Sequence, residues 1–192
     1  MNRIKNIKKE LLSGNYFRLN KYLFDFQTLN GEWVMQMRES FDNGNGAAIL
    51  LYNKEKATVI LTKQFRMPTY VNGNADGFMI EVCAGLLDGD NPENRIIKEV
   101  EEETGYRIKN AQKVMEVYST PGAVTEKVHY FVAEYTEDMK VSEGGGLESE
   151  NEDIEVLEVA FNEAIDMVKT GEIQDAKSII LLQYAQINNL LQ

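Results

Sequence analysis

The chain is short of several things at once. Its 192 residues hold one cysteine, three prolines and 20 Lys plus Arg against 31 Asp plus Glu. A single thiol, Cys83, closes no intrachain disulfide, so a reducing compartment is expected. Few prolines and a 43% hydrophobic content exclude a disordered chain and set up one good-sized core, or one domain with a small appendage. The deficit of positive charge, a net −11, argues against nucleic acid or an anionic membrane surface as partner. No run approaches the ~18 apolar residues of a membrane span. The basic N-terminal stretch "MNRIKNIKKELLSGNYF" lacks the apolar core of a signal peptide. A cytoplasmic protein is expected.

What is present reads as strands with a few helices and no internal repeat. "NYFRLNKYLFDF" and "EWVMQMRESF", separated by Asn30-Gly31, predict a hairpin over roughly the first forty residues, able to form a small sheet of its own. "AAILLYN" (47–53) and "ATVILTKQF" (57–65) predict a second hairpin, and "GFMIEVCAG" (77–85) a further strand. "AQKVMEVYS", "KVHYFVAEY" and "DIEVLEVAF" complete the set. His129 reads as a strand residue and Cys83 as core. The stretch "SEGGGLESENED" (142–153) predicts a mobile acidic surface loop. Helices are predicted over 92–104, over 161–170 with Gly171 as its stop, and over 175–190 with Asp175 as N-cap and a stripe of Ile179, Ile180, Leu182, Ala185 and Ile187. Strands and helices interleave without a βαβ rhythm, so the fold class is α+β.

The helix over 92–104 carries an unusual charge layout. Asn91, Pro92 and Gly105 suit its N-cap, first position and C-terminal stop, and Ile96, Ile97 and Val100 its buried stripe. Yet Glu99, Glu101, Glu102 and Glu103 crowd the end where the helix dipole is already negative, with Arg95 and Lys98 N-terminal to them. Glu99 shares a face with Glu102 and Glu103, and each such like-charge pair costs roughly 0.2–0.5 kcal/mol. Lys98 is within reach of Glu101 or Glu102, while Glu101 points elsewhere into solvent. Taken alone the run also reads as a solvated helix face. A divalent cation makes the arrangement favourable, since magnesium prefers a few carboxylates together with water and phosphate oxygens.

"GLLDGDNPENRIIKEVEEETGY" resembles the signature of the Nudix hydrolases. Three departures stand out. Lys98 occupies the usual arginine position, the loop from Gly85 is one residue shorter, and the loop glutamate falls on Asp90 or Asn91. "NGAAILLYN", "QFRMPTYVNGN", "EVCAGLLD", "TPGAVTEKVHYFVAEY", "ENEDIEVLEV" and "TGEIQDAKSIILL" extend the resemblance over nearly the whole chain. They are similar to the bacterial GDP-mannose pyrophosphatase branch, a close relative of the ADP-ribose pyrophosphatases.

The resemblance implies a Nudix fold, a mixed β-sheet sandwiched between α-helices, over residues 43–192, preceded by an N-terminal antiparallel β segment over 1–42 that dimerises. It implies Mg2+, with Mn2+ as a substitute, on Glu99, Glu102, Glu103, Glu152 and the Ala84 carbonyl. Glu152 and Glu103 are the implied catalytic residues, with Glu148 and Glu150 as alternatives for the base. Tyr16, Arg38, Arg66, Glu126 and Lys177 are implied substrate contacts. Read from the residues alone, Arg66 and Lys177 also fit surface positions and Tyr16 strand packing. The implied activity is hydrolysis of a nucleotide sugar, GDP-mannose to GMP and mannose 1-phosphate, by a homodimer. ADP-ribose or another nucleoside diphosphate derivative is the alternative substrate, and a non-catalytic nucleotide-binding regulator the alternative class.

Overall fold

The computed structural model describes residues 2–191, apart from the side chain of Glu150. Two compact units result: residues 1–45 with 118–127, and residues 46–117 with 128–192.

The smaller unit is a three-stranded antiparallel sheet, β1 (Ile4–Gly14), β2 (Arg18–Gln27) and β3 (Trp33–Asp42), in that order. The predicted hairpin is β2–β3, paired from Arg18–Asp42 to Gln27–Trp33. β1 had no counterpart in the sequence reading, because its lysines disturb any alternation and all of its residues are exposed. Segment 118–127 lies along β3, with Phe41 and Thr125 exchanging backbone hydrogen bonds with their neighbours there.

The larger unit is built on a mixed sheet of order β10-β5-β4-β9-β8, from β4 (Gly46–Asn53), β5 (Thr58–Phe65), β8 (Gln112–Tyr118), β9 (Lys127–Glu134) and β10 (Glu155–Ala160). β4 and β9 are parallel and β4–β5 and β5–β10 antiparallel. β4 is buried along its length, so its apolar run serves both faces of the sheet. Ala48 and Leu50 face a core closed by α3 (Phe161–Thr170) and α4 (Ala176–Ile187), while Ala47, Ile49 and Leu51 face a second core closed by α2 (Pro92–Glu99). The sandwich of helices around a mixed sheet follows from that two-sided strand.

Three local outcomes differ from the sequence reading. The single strand expected over 77–85 breaks into β6 (Phe78–Glu81), paired with β5, and β7 (Cys83–Leu86), paired with β4. The break falls at Val82, whose N–H donates to the Ser178 hydroxyl at 2.8 Å. A short helix, α1 (Met67–Val71), follows β5 where no helix was expected. In α4 Asp175 caps as expected, accepting from the Ser178 N–H, but Leu181 is buried and Ile187 is 77% exposed. The helix is apolar on nearly every side, so periodicity alone could not choose its core face.

Candidate active site

The acidic helix keeps α geometry from Pro92 to Glu99 and then widens into a π-turn over Val100–Thr104, ended by Gly105 at φ 76°. Asn91 caps it, accepting from the N–H groups of Glu93 and Asn94. The wide turn is the one rich in carboxylates, in keeping with the functional bias of such bulges. Asp90 and Asn91, both candidates for the loop acid, divide the work: Asn91 caps, while Asp90 accepts from Lys98 Nζ at 3.3 Å. Lys98 therefore does not reach Glu101 or Glu102. Glu101 makes a two-point contact with Arg107 at 2.7 and 2.8 Å, outside the remaining cluster.

Glu99 and Glu103 are buried, which a solvated face would not allow. Glu99 is held by Arg95 one turn earlier. Gly85 makes room for it: a Cβ there would overlap the Glu99 carboxylate. Burial first, then the charges of Glu102 and Glu152, push the Glu99 carboxyl up to about 7 against the pull of Arg95. Glu103 is 2% exposed, and its Oε2 has no hydrogen-bond partner. Burial, with the charges of Glu99 and Glu152, pushes its carboxyl up to about 8 against the lowering pull of the neighbouring Cys83 thiol and Ala84 backbone. Ala84, in β7, thus lies at the cluster.

Glu152 arrives from the acidic loop, its Oε2 accepting from the Leu147 N–H at 3.0 Å. That loop is not a free surface excursion. Gly145 and Gly146 donate their N–H groups to the carbonyls of Glu103 and Glu102 at 2.9 and 3.1 Å, satisfying the end of the acidic helix. Gly144, at φ 71°, passes so close that a Cβ would overlap the Glu103 carbonyl. The glycines let the loop lie on the helix end and carry Glu152 back to the cluster. Glu148 sits in a single 3₁₀ turn further out, and the side chain of Glu150 lies outside the described residues.

Beside the cluster, Arg66 closes β5 and lies within electrostatic reach of Glu103. Lys177, in the first turn of α4, bridges Asp175 at 2.8 Å and Glu81 at 3.0 Å. Glu81 was missed from the sequence, although a lone carboxylate inside "GFMIEVCAG" was the available signal. Arg95, four residues before Glu99, was likewise available from spacing.

The remaining expected contacts belong to the smaller unit. Tyr16 sits in the β1–β2 turn, 88% exposed, with its ring against Phe17, which packs in turn on Phe41. Glu126 accepts from Asn43 Nδ2 at 2.9 Å and Ser119 Oγ at 2.6 Å. Among the described residues, Arg38 bonds only its own strand, at the Met37 carbonyl and Gln36.

The larger unit thus gathers Glu99, Glu102, Glu103, Glu152, Ala84, Arg66 and Lys177. As they stand, no three His, Cys, Asp or Glu side chains among the described residues close around a metal position. Their chemistry still fits a divalent cation. Buried carboxylates resisting ionisation, one paired with Arg95 and one with an orphaned oxygen, are hard oxygen donors. Among the described residues no helix is long and apolar enough to cross a membrane.

Comparison with known proteins agrees with this geometry. Residues 42–182 match the NUDIX domain, and residues 3–41 match the GDP-mannose pyrophosphatase NudK N-terminal domain. A GDP-mannose pyrophosphatase of Yersinia enterocolitica is 56% identical over 99% of this chain and 98% of its own. That of Yersinia pestis is 55% identical over 97% of this chain and 93% of its own. That of an Enterobacter species is 53% identical over 98% of each. With a buried glutamate cluster on the signature helix and the NUDIX domain matched over residues 42–182, the chain belongs to the Nudix hydrolases.

Proposed function

We propose that the protein hydrolyses the diphosphate of a nucleotide sugar, GDP-mannose giving GMP and mannose 1-phosphate, with Mg2+ and with Mn2+ as a substitute. The observation that carries the site is the convergence of Glu99, Glu103 and Glu152 from a helix and a loop tied together by backbone hydrogen bonds. The names of the relatives, at 53–56% identity over nearly their full length, support the substrate.

Glu99, Glu102, Glu103, Glu152 and the Ala84 carbonyl would hold the cation. When bound it supplies neutralisation of phosphate charge and a water acidic enough to attack at neutral pH. Glu152 keeps Oε2 on the Leu147 N–H, which leaves Oε1 to accept the proton of the attacking water. Arg66 and Lys177 bring positive charge to a site otherwise dominated by carboxylates, suited to the diphosphate. Tyr16, Arg38 and Glu126 are assigned to the nucleotide sugar, with Glu126 fixed by Asn43 and Ser119.

Residues 1–42 form the dimerising segment in this reading, and 43–192 the catalytic domain. The exposed Ile7, Met35 and Met37 of the small sheet are the apolar surface that a second copy would cover, in a cytoplasmic homodimer. Turnover of GDP-mannose, ADP-ribose and dinucleotides, with magnesium and in oxygen-18 water, tests the substrate and locates the broken bond. Turnover of ADP-ribose far above GDP-mannose would overturn the substrate. Absence of any turnover by the folded protein would favour a nucleotide-binding regulator.

A further inference from the structure

Glu81 is a carboxylate placed at the inner end of an apolar strand, 3% exposed. Burying an ion pair there adds little to stability by itself, because desolvation offsets most of the attraction. Its geometry is specific, however. Arg66 donates Nε to Oε1 at 2.7 Å and Nη2 to Oε2 at 3.0 Å, a two-point contact that fixes the guanidinium plane. Lys177 donates to Oε2 from the other side at 3.0 Å, so the carboxylate itself is held against rotation. Lys177 is anchored in turn by Asp175, which also takes the Ser178 hydroxyl at 2.6 Å, and that hydroxyl accepts from Val82 next to Glu81. The Arg66 backbone is equally constrained, its N–H on the Gly77 carbonyl at 2.7 Å and its carbonyl on Thr69 and Tyr70.

With two donors spent on Glu81, Arg66 retains both Nη1 hydrogens and one on Nη2 without an acceptor among the described residues. Its side chain is 40% exposed although its carboxylate partner is buried. The buried edge of the guanidinium is thus tied down and the other edge left for a ligand. We propose that Glu81 is a positioning residue. It turns the Arg66 guanidinium edge-on to the diphosphate, and Lys177 helps to keep the Glu81 carboxylate from rotating. This rests on the diphosphate-hydrolase reading above, and it adds to the expected substrate contact of Arg66 the carboxylate that aims it.

The test uses inorganic pyrophosphate with magnesium as the probe, titrated calorimetrically into the full-length protein and its variants. Arg66→Ala and Glu81→Gln should each weaken binding by about tenfold or more. The double variant should bind no more weakly than Arg66→Ala alone, because Glu81 acts through Arg66. Multiplying losses, or wild-type affinity in Glu81→Gln, would overturn the assignment. Arg66→Lys leaves Glu81 untouched and decides the matter even where Glu81→Gln fails to fold. It retains the charge but not the two-point contact and should bind as poorly as Arg66→Ala, whereas wild-type binding by it would refute the orientation role. A wild-type protein that binds no pyrophosphate overturns the inference outright. One that binds pyrophosphate but spares GDP-mannose overturns the substrate alone.

Discussion

Magnesium binding should expel protons from the site, in a number set by the two buried glutamates. With Glu99 pushed up to about 7 and Glu103 to about 8, pH 7 leaves the first half protonated and the second nearly fully so. The pair then carries between one and two protons at pH 7, fewer at pH 8 and close to none well above that. A bound divalent cation requires both carboxylates ionised, so those numbers are the protons released per binding event. Calorimetric titration of magnesium in buffers of different ionisation enthalpy reads them directly, as the slope of apparent enthalpy against buffer enthalpy. Glu103→Gln should reduce the release at pH 7 to less than one proton, that of Glu99 alone. A slope near zero at pH 7, or one that does not decline toward pH 9, would show that these carboxyls are already ionised or that the cation binds elsewhere.

Stability in the absence of divalent metal should fall as pH rises. Both carboxyls titrate higher in the fold than in the unfolded chain, so their contribution is complete below about pH 4.5 and is lost through pH 7 to 8. For buried Glu103 the loss is on the order of a few kcal/mol. Chelator-treated Glu103→Gln should therefore melt above wild type at pH 8 in thermal scans. The same variant should lose at least about a hundredfold in kcat with magnesium present, and wild-type turnover would remove Glu103 from the site. Gly85→Ala should displace the Glu99 carboxylate and weaken magnesium by about 10–100-fold with the fold intact, as read by titration and circular dichroism. Gly144→Ala should cost about 1–3 kcal/mol in urea melts, because it strains the backbone and drives the loop off the Glu103 carbonyl. An unchanged midpoint would mean that the loop does not need that close approach.

The local elements were legible from residue order because their signals are local. Asn91, Pro92 and Gly105 bounded the acidic helix, Asp175 and Gly171 marked ends of the two later helices, and the apolar run of 47–53 marked a strand. The like-charge face of Glu99, Glu102 and Glu103 followed from helical spacing alone, which left a solvated face and a cation site both open. Burial, partner choice and long-range contact were decided by the tertiary structure. Glu81 became the anchor of Arg66 only when β6, β5 and the start of α4 met, 15 and 96 residues apart in the chain. Lys98 chose Asp90 over its own helix face, and the acidic loop exchanged solvent for the open carbonyls of Glu102 and Glu103. Spacing along one helix places side chains within a few ångströms of each other whatever else the chain does. Whether they are buried, and which distant charge meets them, depends on elements brought together only by the packed sheet.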